Sequence, residues 1–91
     1  MRIEWDAKKA AANFAKHKVS FDEASTVFGD PLAVTIDDPE SSSDENRLLT
    51  KGMSRRWKLL VFAHTYKEGV IRIISARRAT KNERRQYESE G

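Results

Sequence analysis

The chain has 91 residues, of which 34% are charged and 38% hydrophobic, with a net charge of +3 and a pI near 9.4. That length supports a single domain over residues 1–91 and not two. The lack of cysteine excludes disulfides and thiolate metal sites, no apolar run approaches the ~20 residues of a membrane helix, and Met1–Asp6 has no signal-peptide pattern, so a cytoplasmic protein is expected.

Taken in order, Arg2–Trp5 reads as a short extended segment. Asp6 fits a helix N-cap, and Ala7, Ala10, Ala11 and Phe14 follow at helical spacing to about His17. Lys8, Lys9, Asn13 and Lys16 then fall on a face expected to be solvated. Ser20 and Glu23 form a capping box for a second helix, with Val19 as a hydrophobic staple and Phe21, Ala24 and Phe28 as its buried stripe. Gly29-Asp30-Pro31 stops it. Leu32–Ile36 alternates like a strand, the acidic stretch Asp37–Asp44 around Ser41–Ser43 reads as a loop, and Arg47–Met53 reads as the next strand. After a turn at Met53–Arg56, Trp57–Tyr66 is the most apolar strand. Its centre, Leu59–Ala63, is apolar on both faces and belongs in the middle of a sheet.

Lys67-Glu68-Gly69 suits a three-residue hairpin loop. Val70–Ala76 returns antiparallel, Arg77 and Arg78 sit at its end, and Thr80 with Glu83 opens the last helix as a second capping box. The expected fold is α+β: an N-terminal strand and two helices, an antiparallel meander of three to four strands and a C-terminal helix, with the helices on one face.

Charge is unevenly spread. Asp37, Asp38, Glu40, Asp44 and Glu45 form an acidic run, while cations gather at Lys51–Lys58 and Arg72–Arg85. That asymmetry points to an anionic partner on one face. Cations held by a strand and a helix suit a phosphate-rich ligand; a merely solvated basic helix after an edge strand is the competing reading. In the expected hairpin register Tyr66 faces Val70, so His64 faces Arg72 at about 5 Å between Cβ atoms, an acid/base group beside an anion clamp. A structural histidine is the simpler alternative, and a one-residue slip would separate the two.

Taken together, several stretches resemble one family. They are the opening EWD with Lys8, Asn13, Lys16-His17, VSFDEA (Val19–Ala24), VFGDPLA (Val27–Ala33), Arg47, Gly52, IRIISARRAT (Ile71–Thr80), Glu83-Arg84-Arg85 and Tyr87-Glu88. In this order and spacing the chain resembles the BrnT ribonuclease toxins of bacterial type II toxin–antitoxin systems. The resemblance implies a fold like that of RelE-type and other small microbial ribonucleases, and RNA cleavage that inhibits translation. It also implies neutralisation by a BrnA-type ribbon-helix-helix antitoxin, with operator DNA contacted only through the complex. Carried over by position, the functional region falls on Arg72, Arg77, Arg78, Glu83, Arg84 and Tyr87.

RNA cleavage without a metal or other cofactor needs a base for the 2′-OH, an acid for the leaving 5′-oxygen and cations for the phosphorane. The expected catalytic set is His64, Arg72, Arg77, Arg78, Glu83 and Tyr87, with His64 preferred for proton transfer. Lys16, His17, Arg47, Lys81, Arg84 and Arg85 are expected to bind RNA. Glu83 has a competing duty in the capping box, and Tyr87 would need a lowered pKa to act as a base. The carboxylates cluster in the acidic run, away from the basic wall, and no metal site is expected. The competing class is a non-catalytic binding or partner-docking module, in which Trp57, Tyr66 and Tyr87 stack bases; Trp5 and Trp57 are otherwise expected in a core or interface. An antitoxin that silences such a protein is expected to cover part of the Arg72–Tyr87 surface.

Overall fold

The computed structural model describes residues 2–39 and 46–90. Residues 40–45, which include most of the expected acidic loop Asp37–Asp44, lie outside the described residues. In chain order the elements are β1 (Arg2–Trp5), α1 (Ala7–His17), α2 (Phe21–Ser25), a 3₁₀ turn (Thr26–Gly29), β2 (Val34–Asp37), β3 (Arg47–Met53), β4 (Leu59–Lys67), β5 (Val70–Arg78) and α3 (Lys81–Glu90). The five strands form one sheet in the order β1-β5-β4-β3-β2. β2 to β5 are the expected antiparallel meander, and β1 adds a parallel edge strand beside β5.

Local chemistry sets the helix ends. The Asp6 carboxylate accepts the Lys9 N–H at 3.1 Å, and Lys18 closes α1 in the left-handed region. Ser20 Oγ accepts the Glu23 N–H at 3.0 Å, but the Glu23 carboxylate does not return to Ser20; it accepts Ser54 Oγ–H at 2.7 Å. α2 is short because Ser25 and Thr26 hydroxyls donate back to the carbonyls of Asp22 and Glu23, each at 2.6 Å, and compete with the helical ladder.

The core lies between the sheet and α1/α2. Val19, Phe21, Ala24 and Val27 pack there on Leu60, Phe62, Ile73 and Ala76. At Gly52 an added Cβ would meet Val27 Cγ1 at 2.7 Å and Ala33 Cβ at 2.8 Å, so glycine lets the 3₁₀ turn close on β3.

Four expectations need correction. First, the β4–β5 hairpin has a two-residue loop. Glu68 and Gly69 both take positive φ, the type I′ geometry whose twist matches the strands, and Lys67 pairs with Val70. The register therefore slips by one, and His64 faces Ile73 rather than Arg72. Second, the register shifts again between Ala63 and His64, leaving Ile74 as the extra residue of a β-bulge. Third, the buried face of α1 carries Asn13, not Phe14: Asn13 is buried and Phe14 is 50% exposed. Fourth, α3 does not join α1 and α2. Its Glu83 and Gln86 meet Arg77 and Lys51, which stand on the opposite face of the sheet from Thr50 and Phe62.

The third correction has a clear cause. β1 stops pairing at Trp5 opposite Ile73, so the outer edge of β5 beyond that point has no strand neighbour. The Asn13 amide takes its place. Nδ2 donates to the Ala76 carbonyl at 2.9 Å and the Val19 carbonyl at 3.0 Å, and Oδ1 accepts the Ala76 N–H at 3.0 Å. A polar side chain thus pairs backbone groups that could not otherwise be buried.

Candidate active site

The bulge at Ile74 determines what the end of β5 presents. Ile71, Ile73 and Ala76 are all buried on the α1/α2 side, a spacing that simple alternation cannot produce. Without the extra residue Arg77 would point into that core. With it, Arg77 stands on the opposite face, towards α3, and Arg78 on the α1/α2 side at the exposed end of the sheet.

Arg77 and Glu83 form a two-pronged ion pair, with Nη1 to Oε1 at 2.8 Å and Nη2 to Oε2 at 2.9 Å. Glu83 also completes a full capping box: Oε1 accepts the Thr80 N–H at 2.8 Å, and Thr80 Oγ1 accepts the Glu83 N–H at 3.2 Å. The Arg77 guanidinium, helped by the Thr80 N–H, outweighs partial burial and lowers the Glu83 pKa to about 2. The pair is fixed by a strand on one side and a helix cap on the other, a well-ordered base for anion recognition. Around it Arg78, Lys81, Arg84 and Arg85 are exposed, and among the described residues they make no ion pair.

Tyr87, one turn beyond Glu83, is committed elsewhere. Its hydroxyl donates to Asp30 Oδ2 at 2.7 Å, an oxygen that also accepts the Met53 N–H at 2.8 Å. Burial, then the Asp30 carboxylate, raises the Tyr87 pKa to about 12. Asp30 itself is lowered; its burial opposes this, and hydrogen bonds from Met53, Tyr87 and Leu32 prevail. Tyr87 therefore anchors α3 to the loop before β2.

The remaining predicted residues lie apart from this pair. His64 is buried, packed edge-on against Phe28 at 5.5 Å and tilted against Phe62 at 5.1 Å. Its Nε2 meets Thr50 Oγ1 at 2.7 Å, and Thr50 in turn meets Thr35 Oγ1 at 2.7 Å. Burial lowers its pKa. The expected His64–Arg72 pair does not form, because the type I′ turn puts the two on opposite faces.

Arg72 pairs instead with Glu4 at 3.3 Å, near the hairpin end of the sheet. Five residues of strand put it about 17 Å from Arg77. Arg47, at the same far end, pairs with Asp38 at 3.3 Å. Lys16 is exposed and His17 half-buried on α1. Sequence reasoning missed Asn13 as a positioning residue and the bulge that aims Arg77. The adjacent Ile73 and Ile74, which break the alternation of β5, were the available signal for the bulge.

The sheet order, with arginines held where its last strand meets a helix, defines a small α+β domain with a mixed five-stranded sheet. It matches the crystal structure of the Brucella abortus ribonuclease toxin BrnT with a TM-score of 0.69 at 21% identity, covering 89% of this chain and 99% of that one, a likeness of fold. Residues 5–83 match the family described as ribonuclease toxin, BrnT, of type II toxin–antitoxin system, and the chain belongs to that family. No curated protein matches the chain. Among the described residues no helix is long and apolar enough to cross a membrane.

Proposed function

We propose that this chain is an endoribonuclease that cleaves RNA at the β5–α3 junction without a metal ion. The observation that carries the reading is the two-pronged Arg77–Glu83 pair among the exposed cations Arg78, Lys81, Arg84 and Arg85, which make no ion pair among the described residues. An incoming phosphodiester competes with the Glu83 carboxylate for Arg77, since both anions fit the planar guanidinium fork. Once displaced, Glu83 is freed from the main cause of its low basicity and accepts the 2′-OH proton. Arg77 and Arg78 stabilise the charge that builds on the phosphorane, and the departing 5′-oxygen takes a proton from solvent at this open site. The product is a 2′,3′-cyclic phosphate. His64 and Tyr87 have no proton-transfer role in this scheme: one faces the core and the other holds Asp30.

Degradation of message then inhibits translation in the cytoplasm. A BrnA-like ribbon-helix-helix antitoxin silences the protein by covering part of the Arg72–Tyr87 surface, and the complex alone reaches operator DNA. A complex structure with all partner contacts on the opposite face would refute that placement.

The decisive assay incubates the antitoxin-free protein with a defined RNA in EDTA and maps the product ends. Cleavage leaving 2′,3′-cyclic phosphates is the expected result. Cleavage only on adding magnesium, or only with ribosomes present, would overturn the scheme. One observation favours a second reading, a non-catalytic RNA-binding module: at neutral pH the unliganded Glu83 is held ionised by Arg77 and is a poor base. Salt-sensitive binding with no cleavage under any condition would establish it.

A further inference from the structure

The β3–β4 hairpin carries a feature that the Arg77–Glu83 site does not use. Trp57 is 83% exposed and so lies outside the core, and the strand expected to begin at it begins at Leu59. The sheet ends at Met53 and resumes at Leu59, and Trp57 occupies the third position of the tight loop between Ser54 and Lys58. Its φ of +63° lies in the left-handed region, a position that favours glycine or asparagine and opposes a bulky side chain. The indole thus gains almost no burial and sits on unfavourable backbone, and the fold supplies no reason for it.

The loop is also held firmly. The Ser54 N–H donates to the Lys58 carbonyl at 2.8 Å and the Trp57 N–H to the Ser54 carbonyl at 2.9 Å. Ser54 Oγ is fixed by Glu23 at 2.7 Å, and the Arg55 N–H donates to Thr26 Oγ1 at 2.9 Å. An aromatic plane on a rigid mount is presented to solvent.

Its neighbours indicate the ligand. Arg55, Arg56 and Lys58 flank the indole, and among the described residues none of them makes an ion pair. Among the described residues Asp30 is the acid lining the cleft beside Trp57, and its oxygens are engaged by Leu32, Met53 and Tyr87; Asp22 and Glu23 share the adjoining groove with Arg55, Arg56 and Lys58, and the Glu23 carboxylate is engaged by Ser54. The Ala79 N–H donates to the Leu59 carbonyl at 2.9 Å, so the loop adjoins the strand end that carries Arg78. From strand spacing and rise, Trp57 and Arg78 lie on the order of 10 Å apart. An exposed aromatic plane flanked by cations suits a flat base between phosphates.

We propose that Trp57 is the stacking platform of a nucleotide subsite on single-stranded RNA. Arg55, Arg56 and Lys58 hold the adjoining phosphates, on a path that runs over the end of the sheet from Arg78. The proposal rests on the ribonuclease reading for its substrate, but its test does not require cleavage.

The probe is a short single-stranded 2′-O-methyl oligonucleotide, which cannot undergo 2′-OH attack, titrated into the antitoxin-free chain while tryptophan fluorescence is followed. Quenching is expected, with W57F keeping most of the affinity. W57A and W57N are expected to bind about 5- to 150-fold more weakly, the range of one lost stack. W57N suits the left-handed backbone, so its thermal midpoint is expected at or above that of the parent, which separates lost stacking from lost folding. Parent-like affinity in W57N overturns the proposal. So does parent-like RNA affinity joined to weakened antitoxin binding, which would assign the indole to a protein contact. If the parent chain cleaves no RNA yet its indole is quenched and W57N binds weakly, the nuclease reading fails and the subsite stands.

Discussion

Replacing Asn13 with alanine is expected to cost about 3 kcal/mol or more of folding stability. The substitution leaves the Ala76 N–H, the Ala76 carbonyl and the Val19 carbonyl buried without their partner. Each unsatisfied group costs about 1–3 kcal/mol, and water entering the gap recovers only part of that. A domain of this size is stable by roughly 5–14 kcal/mol, so the loss is a large fraction of the whole. Thermal unfolding should show a midpoint at least about 12 °C lower. Asn13→Asp separates hydrogen bonding from shape. At neutral pH its carboxylate can accept the Ala76 N–H but faces two carbonyl oxygens with no proton to offer, so it should be at least as unstable as the alanine variant. Acidification should restore part of the loss by protonating it. An Asn13→Ala midpoint within a few degrees of the parent would refute the assignment.

Arg77→Ala is expected to reduce RNA cleavage by about 10²- to 10³-fold, the usual effect of removing one preorganised donor from a developing anion. Stability should change by less than about 1 kcal/mol, because Arg77 is 41% exposed in its side chain and an accessible ion pair is worth little. Arg77→Lys keeps the charge but loses the planar fork, and should recover only part of the activity. The same variant has a distinct acid profile. In the parent Glu83 sits near 2 against an ordinary 4.5, so the contribution of the pair is complete above about pH 4.5 and lost as pH falls towards 2. In Arg77→Ala that window should flatten, because the depressed carboxylate returns towards its ordinary value. Unchanged cleavage in a folded Arg77→Ala protein would rule out the proposed clamp.

The elements of the fold were legible because they rest on local chemistry. Asp6 and Ser20 cap where expected, Thr80 and Glu83 form their box, and the apolar run of β4 lies mid-sheet. What escaped the sequence depended on partners distant along the chain. Asn13 is polar in an alanine-rich helix, so sorting faces by hydrophobicity placed it in water; the backbone it satisfies lies 63 residues away. Lys67 looked like a loop residue until Glu68 and Gly69 together supplied both left-handed positions of a two-residue turn. That one-residue difference was enough to dissolve the His64–Arg72 pair. The family resemblance named Arg77 and Arg78 together, but the bulge decides which of them turns towards Glu83.

Among the described residues α3 is seated through polar side-chain contacts: Glu83 to Arg77, Gln86 to Lys51 at 3.3 Å, and Tyr87 to Asp30. Dissolved salt screens the charged part of such a seat, while a greasy interface would hold. The same ions compete with Lys81, Arg84 and Arg85 for RNA phosphates. Ionic strength therefore acts twice on this protein, once on the ligand and once on the helix that carries the cations. A plot of binding against salt will fall more steeply than the number of phosphates touched would predict, and its slope will count attachments within the protein as well as contacts with RNA.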